Sequence, residues 1–268
     1  MGGSSSQTGE PVPTDWSVVR VHGADAVSFL HNLCTNDVKR LAGGESCEAL
    51  FCNVKGKVLA HTVLCRDAEG VDIVVTSPLA PSLAEHLDRY HIREALTLDT
   101  PAAGVALALS HSDGQGFPLA AFGHGARLVI EEPGAPAAKA PDDDGPAAET
   151  RIASRFPLDA IDVDARNLPQ ELNRDADLIS FTKGCYLGQE TVARIDALGR
   201  VNQLLVRLRA EPGALTTGDE LTAEGESAGR VTSVASAAGT ALAYVRRTHA
   251  DAGAALTTTA GAAATVER

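Results

Sequence analysis

The residues best equipped for chemistry form one run, Lys183-Gly184-Cys185-Tyr186-Leu187-Gly188-Gln189-Glu190, which continues to Arg194. It holds a thiol, a cation, two glycines, an amide and a carboxylate. A thiolate can ligate iron, carry sulfur or attack an electrophilic carbon. The apolar run Leu178-Ile179-Ser180-Phe181 before it reads as a strand, and Thr191 to Ile195 after it reads as helix. That setting places Cys185 at the entry to a helix and two residues from Lys183. A helix N-terminus and an ammonium both favour the thiolate. The same features also fit an inert cysteine in a glycine-rich turn.

The other four cysteines, Cys34, Cys47, Cys52 and Cys65, form no CxxC pair. Cys47 and Cys52 lie five apart in a strand-like run, so they point to opposite faces and make a poor joint metal site. The histidines show neither HxxxH nor HExxH spacing, and no residue is assigned to a metal. An odd number of cysteines and the lack of a signal-peptide pattern argue against a disulfide framework.

The 268 residues carry a formal net charge of −12. An acidic surface repels phosphate backbones, which argues against a broad nucleic-acid face. No apolar run approaches the roughly 20 residues that span a bilayer. A soluble cytoplasmic protein without a membrane partner is expected. Residues 1–13 are polar and Gly/Ser-rich and read as a disordered tail.

The elements that must hold the octapeptide read as follows. Ser17 to Val21 is a strand, and a helix opens at Gly23 and breaks at Thr35-Asn36-Asp37. Cys47 to Cys52 and Lys57 to Cys65 are strands around the loop Asn53–Gly56. Asp67–Gly70 turns into a strand over Val71 to Thr76. Ser77-Pro78 starts a helix. Further strands are expected near 96–98, 105–109 and 127–131. Residues 132–148, with Asp142 to Asp144, read as an exposed loop, and Arg151 to Asn173 as mostly irregular. After Gly199 come short strands between Gly/Pro turns, the pattern of a small antiparallel barrel.

The octapeptide resembles the KGCYxGQE signature of the YgfZ family, whose members are similar to the aminomethyltransferase (T-protein, GcvT) of the glycine cleavage system. The likeness covers nearly the whole chain. Val21–Leu30 is similar to the family's "V-x-G-x-D-A-x-x-F-L" opening and Thr35–Val38 to its "T-N-D-V". Asn53–Leu59 resembles its "G-K/R-I/V-L" loop, Leu168–Asn173 its "I-P-Q-E" region, and Ala241–Val245 a late barrel strand. The resemblance implies an α+β class, with a GcvT-like folate-binding region over 14–198 and a C-terminal β-barrel over 199–268.

It further implies a pocket for tetrahydrofolate or a substituted reduced folate, and a role with iron–sulfur enzymes or assembly proteins, including enzymes that modify tRNA. Under it, Cys185 and Lys183 are the candidate catalytic pair. Lys183 would steady the thiolate or meet a folate glutamate tail. Asn36, Asn53, Glu171, Tyr186, Gly188, Gln189, Glu190 and Arg194 are the candidate ligand-binding residues. Glu190 and Arg194, four apart on a helix, also fit an ordinary ion pair.

Two departures bear on activity. The T-protein carboxylates of "G-G-I-x-D-D" fall on Ala60 and His61, and the glutamate of "R-L-E-A-G" falls on Ala153. Carboxylate-driven aminomethyl transfer thus loses its groups, since alanine cannot stabilise developing charge. Three readings stand: a folate-binding accessory of iron–sulfur metabolism, a tetrahydrofolate-dependent transferase, and a scaffold that binds no folate.

Overall fold

The computed structural model describes residues 16–100, 103–108, 116–123, 125–133, 146–199 and 201–267. The expectations for residues 1–13 and for Asp142 to Asp144 lie outside them.

The first strand, β1 (Trp16–His22), leads into the helix α1 (Ala26–His31). Next come β2 (Ser46–Cys52), β3 (Val58–Arg66) and β4 (Gly70–Thr76), then α2 (Ala80–Asp88) and β5 (Thr97–Asp99). The strands make an antiparallel sheet in the order β2-β3-β4-β1-β5. Alternation along the strands sorts the two faces. Val19, Val21, Ala49, Phe51, Leu64 and Ile73 pack beneath α1 and α2. Trp16, Val18, Val63 and Val74 point the other way. Period-two patterning dictates this division.

On that second face lie β6 (Ala103–Ala108), β7 (Phe117–Pro118) and β8 (Arg127–Pro133), a small sheet in the order β6-β8-β7. Leu119, Phe122 and Leu128 join Phe156 and Leu158 against it. Residues 146–199 then wrap the end of the large sheet with α3 (Pro146–Ala153), α4 (Asp175–Leu178) and α5 (Gln189–Leu198). Arg151 to Ala153 therefore belong to a helix, which the polar, proline-interrupted sequence around them concealed.

The run Leu178 to Phe181 is not a strand. Leu178 ends α4, and the Ser180 N–H bonds the Thr35 carbonyl. Leu178 and Ile179 are apolar because they are buried beside Leu50 and Val58.

From Gln203 the chain builds a closed antiparallel barrel. Its strands are β9 (Gln203–Ala210), β10 (Glu220–Ala223), β11 (Glu226–Ala235), β12 (Thr240–Arg246), β13 (Ala255–Thr258) and β14 (Ala263–Glu267). They pair in the order β10-β11-β12-β9-β14-β13, with β10 meeting β13 to close the ring. Closure leaves no open edge for a foreign strand. Among the described residues no helix is long and apolar enough to cross a membrane.

Candidate functional site

The octapeptide is anchored first by Lys183. Its side chain turns inward, away from solvent, and its Nζ donates to the carbonyls of His31 (2.6 Å), Cys34 (2.8 Å) and Asn36 (2.6 Å). These carbonyls lie at and beyond the C-terminal end of α1, where unpaired acceptors and a negative helix end welcome a cation. Burial pulls the Lys183 pKa down, opposed by the nearby Cys34 and Asp37. The ammonium also lies 5.2 Å from the Tyr186 ring centre. Lys183 thus fastens the loop to α1.

The Leu187 N–H bonds the Asn32 carbonyl, a second tie to the same helix end. Gly188 then turns at φ +84°, and a Cβ there would lie 2.6 Å from the Asn53 carbonyl oxygen and 3.1 Å from the Gly56 Cα. Gly56, at φ +72°, faces it across this junction. Both positions need glycine for conformation and for space. Helix α5 begins only at Gln189, so Cys185 stands four residues ahead of it rather than at its entry. The helix-terminus argument for its thiolate therefore lapses.

What sets Cys185 apart is exposure. It is open to solvent, whereas Cys34, Cys52 and Cys65 are buried and Cys47 is partly covered. Burial pushes all four of those thiols up, Cys52 to about 12. Tyr186 is buried, and desolvation raises its phenol too.

Beside the glycine junction lies a cleft of about 620 Å³ between the 53–57 loop and α5. Glu171, Glu190 and Arg194 line it, together with Val54, Lys55 and Lys57. Three of the expected ligand-binding residues are thus brought together, 23 positions apart at the extremes. Cys185, Asn36 and Tyr186 are not among its walls. Glu190 and Arg194 both lie on α5, yet no ion pair joins them among the described residues; both are exposed, and water competes with such pairs. Lys57 Nζ bonds the Arg166 carbonyl at 2.6 Å, while Lys55 and Arg194 have no such partner among the described residues. The cleft carries two uncommitted cations above an apolar wall of Val54, Leu168 and Ile195.

Other candidates are engaged within the fold. Asn53 Oδ1 accepts from the N–H groups of Lys55 and Lys57 and shapes the loop. Asn36 Nδ2 donates to the carbonyls of Glu48 and Asp177, tying β2 to α4. Glu171 Oε2 accepts from Asn167 Nδ2 and the Leu168 N–H, closing the short turn Pro169–Leu172. Gln189 is half-buried at the first position of α5.

Sequence reasoning missed a buried polar triad. Glu48 Oε2 lies 2.9 Å from His61 Nε2, and Glu48 Oε1 accepts from Arg174 Nη2 at 2.5 Å. His61 Nδ1 faces the Pro157 carbonyl at 3.1 Å, and Arg174 stacks on Phe156. The available signal was a glutamate in phase with Leu50 and Cys52 in a strand that is buried on both faces from Glu48 onward. Ala60, on the opposite face of β3 from His61, is buried in the core beneath α1 and α2. Ala153 is exposed and offers no polar side chain. Neither position can grip a pterin through a carboxylate, so the residues do not fit tetrahydrofolate in the T-protein manner.

The sequence and fold have identifiable relatives. A family profile described as the CAF17 C-terminal beta-barrel domain matches residues 204–268, the barrel. The mitochondrial iron–sulfur cluster assembly factor IBA57 of Mus musculus is 29% identical over 259 residues, covering 80% of this chain and 71% of its own. The tRNA-modifying protein YgfZ of Yersinia pestis is 25% identical over 212 residues, covering 67% and 64%. The chain spans about two thirds of the length of the curated relatives it matches. Among solved structures, the glycine cleavage system aminomethyltransferase T from Bartonella henselae superposes with a TM-score of 0.72. It is 17% identical and covers 95% of this chain and 83% of its own, a likeness of fold.

Proposed function

On its likeness to YgfZ and IBA57 and its GcvT-like fold, we propose that the chain is a YgfZ/GcvT-like accessory factor of iron–sulfur cluster assembly, including clusters of tRNA-modifying enzymes, with Cys185 as its working thiol. One observation carries the reading. Of five cysteines, Cys185 alone is exposed, and burial holds the others protonated. A thiolate that meets a partner protein must be reachable. One thiolate cannot hold a cluster alone, so ligation would be shared with a client or carrier protein. The free thiols suit a reducing compartment such as the cytoplasm.

The test is complementation in a strain lacking the gene, with cluster-dependent enzyme activity as readout. Cys185→Ser should fail to restore activity while the protein accumulates normally. Full restoration by that variant would remove the thiol from the mechanism.

Reduced folate is the small molecule in this proposal, and the cleft at Glu171, Glu190 and Arg194 is its place. Lys55 and Arg194 supply charge for the glutamate tail, and Val54, Leu168 and Ile195 supply apolar cover. A cavity of this size is in the range of small-ligand sites. No one-carbon step follows, because Ala60 and Ala153 hold no carboxylate. Calorimetry with tetrahydrofolate should give saturable heat that weakens about tenfold in Arg194→Ala, as expected for loss of one charge-assisted contact. No saturable heat from the native protein would leave the scaffold reading in its place.

A further inference from the structure

Helix α3 ends at Ala153 in a turn that glycine normally supplies. The Arg155 N–H bonds the Ile152 carbonyl, and the Phe156 N–H reaches back to the Arg151 carbonyl. Those two bonds define the left-handed helix end whose central position favours glycine. Here that position is Arg155, at φ +54°. A side chain in this conformation is strained.

The arginine is also electrostatically misplaced. Its side chain is half-buried and makes no hydrogen bond or ion pair among the described residues. Two more guanidiniums converge on the same turn. Arg207 Nη1 donates to the Ala153 carbonyl at 3.0 Å, and Arg174 Nη1 donates to the Ser154 carbonyl at 3.3 Å. Burial, then Arg174 and Arg207, depress the Arg155 pKa; Asp177, a largely exposed carboxylate, acts weakly against them. Arg174 has its own carboxylates in Glu48 and, at 3.3 Å, Asp177, and Arg207 has Glu267. Buried Arg174 Nε still lacks an acceptor among the described residues. Ala153 beside them is small and exposed, which leaves the turn open to solvent.

A partly desolvated cation among like charges, held in a strained backbone, destabilises the protein on its own. An incoming anion reverses that sign, because guanidinium forks bind oxyanions strongly. We propose that Arg155, with Arg207 and Arg174 around it, forms a binding site for a phosphate group, free or carried on a small ligand. This site stands apart from Cys185 and from the α5 cleft, and it holds whether or not the folate reading does.

The experiment uses the full chain and its variants Arg155→Gly and Arg207→Gln, titrated with inorganic phosphate, glycerol phosphate and malonate. Thermal unfolding is followed in parallel. The native protein should bind inorganic phosphate or glycerol phosphate saturably and unfold at higher temperature in its presence. Arg155→Gly should bind at least about tenfold more weakly. Without ligand it should unfold about 2 °C or more above the native protein, since glycine relieves the turn. Arg207→Gln should bind more weakly. Binding of inorganic phosphate alone identifies the free ion, and tighter binding of glycerol phosphate identifies a carried group. The proposal is overturned by no saturable phosphate binding, by undiminished binding in Arg155→Gly, or by binding of malonate alone. The thermal gain on its own is no support, because a purely structural turn would also show it.

Discussion

Cys185 owes its accessibility to its neighbours rather than to its own environment. Lys183 pins the loop to three carbonyls on one side of it, and Gly188 locks the chain against the 53–56 loop on the other. Two residues of the octapeptide thus serve the frame and leave the thiol outside. The two glycines differ sharply. A Cβ on Gly188 would strike the Asn53 carbonyl, whereas one on Gly184 would meet nothing within 4 Å. Gly188→Ala should cost about 2–4 kcal/mol, combining left-handed strain with a backbone clash. Gly184→Ala should be near neutral. Chemical denaturation of the two variants distinguishes them, and equal stability would contradict the junction described above.

At the scale of elements, α4 and α5 meet through a like-charged pair. Burial, then the charge of Asp196, raises Asp175 to about 6, and its Oδ1 has no partner among the described residues. The folded state therefore holds this proton more tightly than the unfolded chain, whose value is near 3.8. The native state binds more protons between roughly pH 4 and 6, so stability declines as pH rises through that window. Asp175→Asn should be more stable above pH 6 by about 1 kcal/mol, after allowing for solvent screening at a partly exposed site. Below pH 4 the difference should vanish. Asp159, raised to about 6 by burial, acts in the same direction, so the variant flattens the slope without abolishing it. Melting curves at pH 4, 6 and 8 give the answer, and a variant that gains equally at all three would rule out the titration.

Elements were legible where periodicity reports burial. The alternation of Val18, Val19 and Val21 and the apolar spacing of Phe29, Leu30 and Leu33 foretold β1 and α1. Leu178 to Phe181 misled because a buried turn is as apolar as a strand. The octapeptide was legible through its chemistry. The triad of Glu48, His61 and Arg174 was not, because its members lie up to 126 positions apart and only folding brings them together.

The whole molecule is joined at Asp162. Its carboxylate accepts from Arg151 Nη1 (2.8 Å) and the Leu158 N–H (3.0 Å) on one side, and from Thr232 (2.5 Å) and Ser233 (2.6 Å) of β11 on the other. One buried side chain thereby fixes the barrel to the segment that follows α3. Removing it takes a carboxylate partner from a fully buried arginine and the acceptor of two β11 hydroxyls, so Asp162→Ala should cost about 3–5 kcal/mol. Urea unfolding would show this, and a loss below about 1 kcal/mol would mean that the barrel is held by apolar contact instead. The contact of Gly56 with Gly188 works over a longer span of sequence, and it has a consequence for evolution. Neither partner can accept a side chain, so no exchange at one can be compensated by an exchange at the other. In any set of related sequences the pair would appear as two independently invariant sites. A joint that positions the thiol loop would leave no trace of correlated change, and only a structure reveals that the two positions touch.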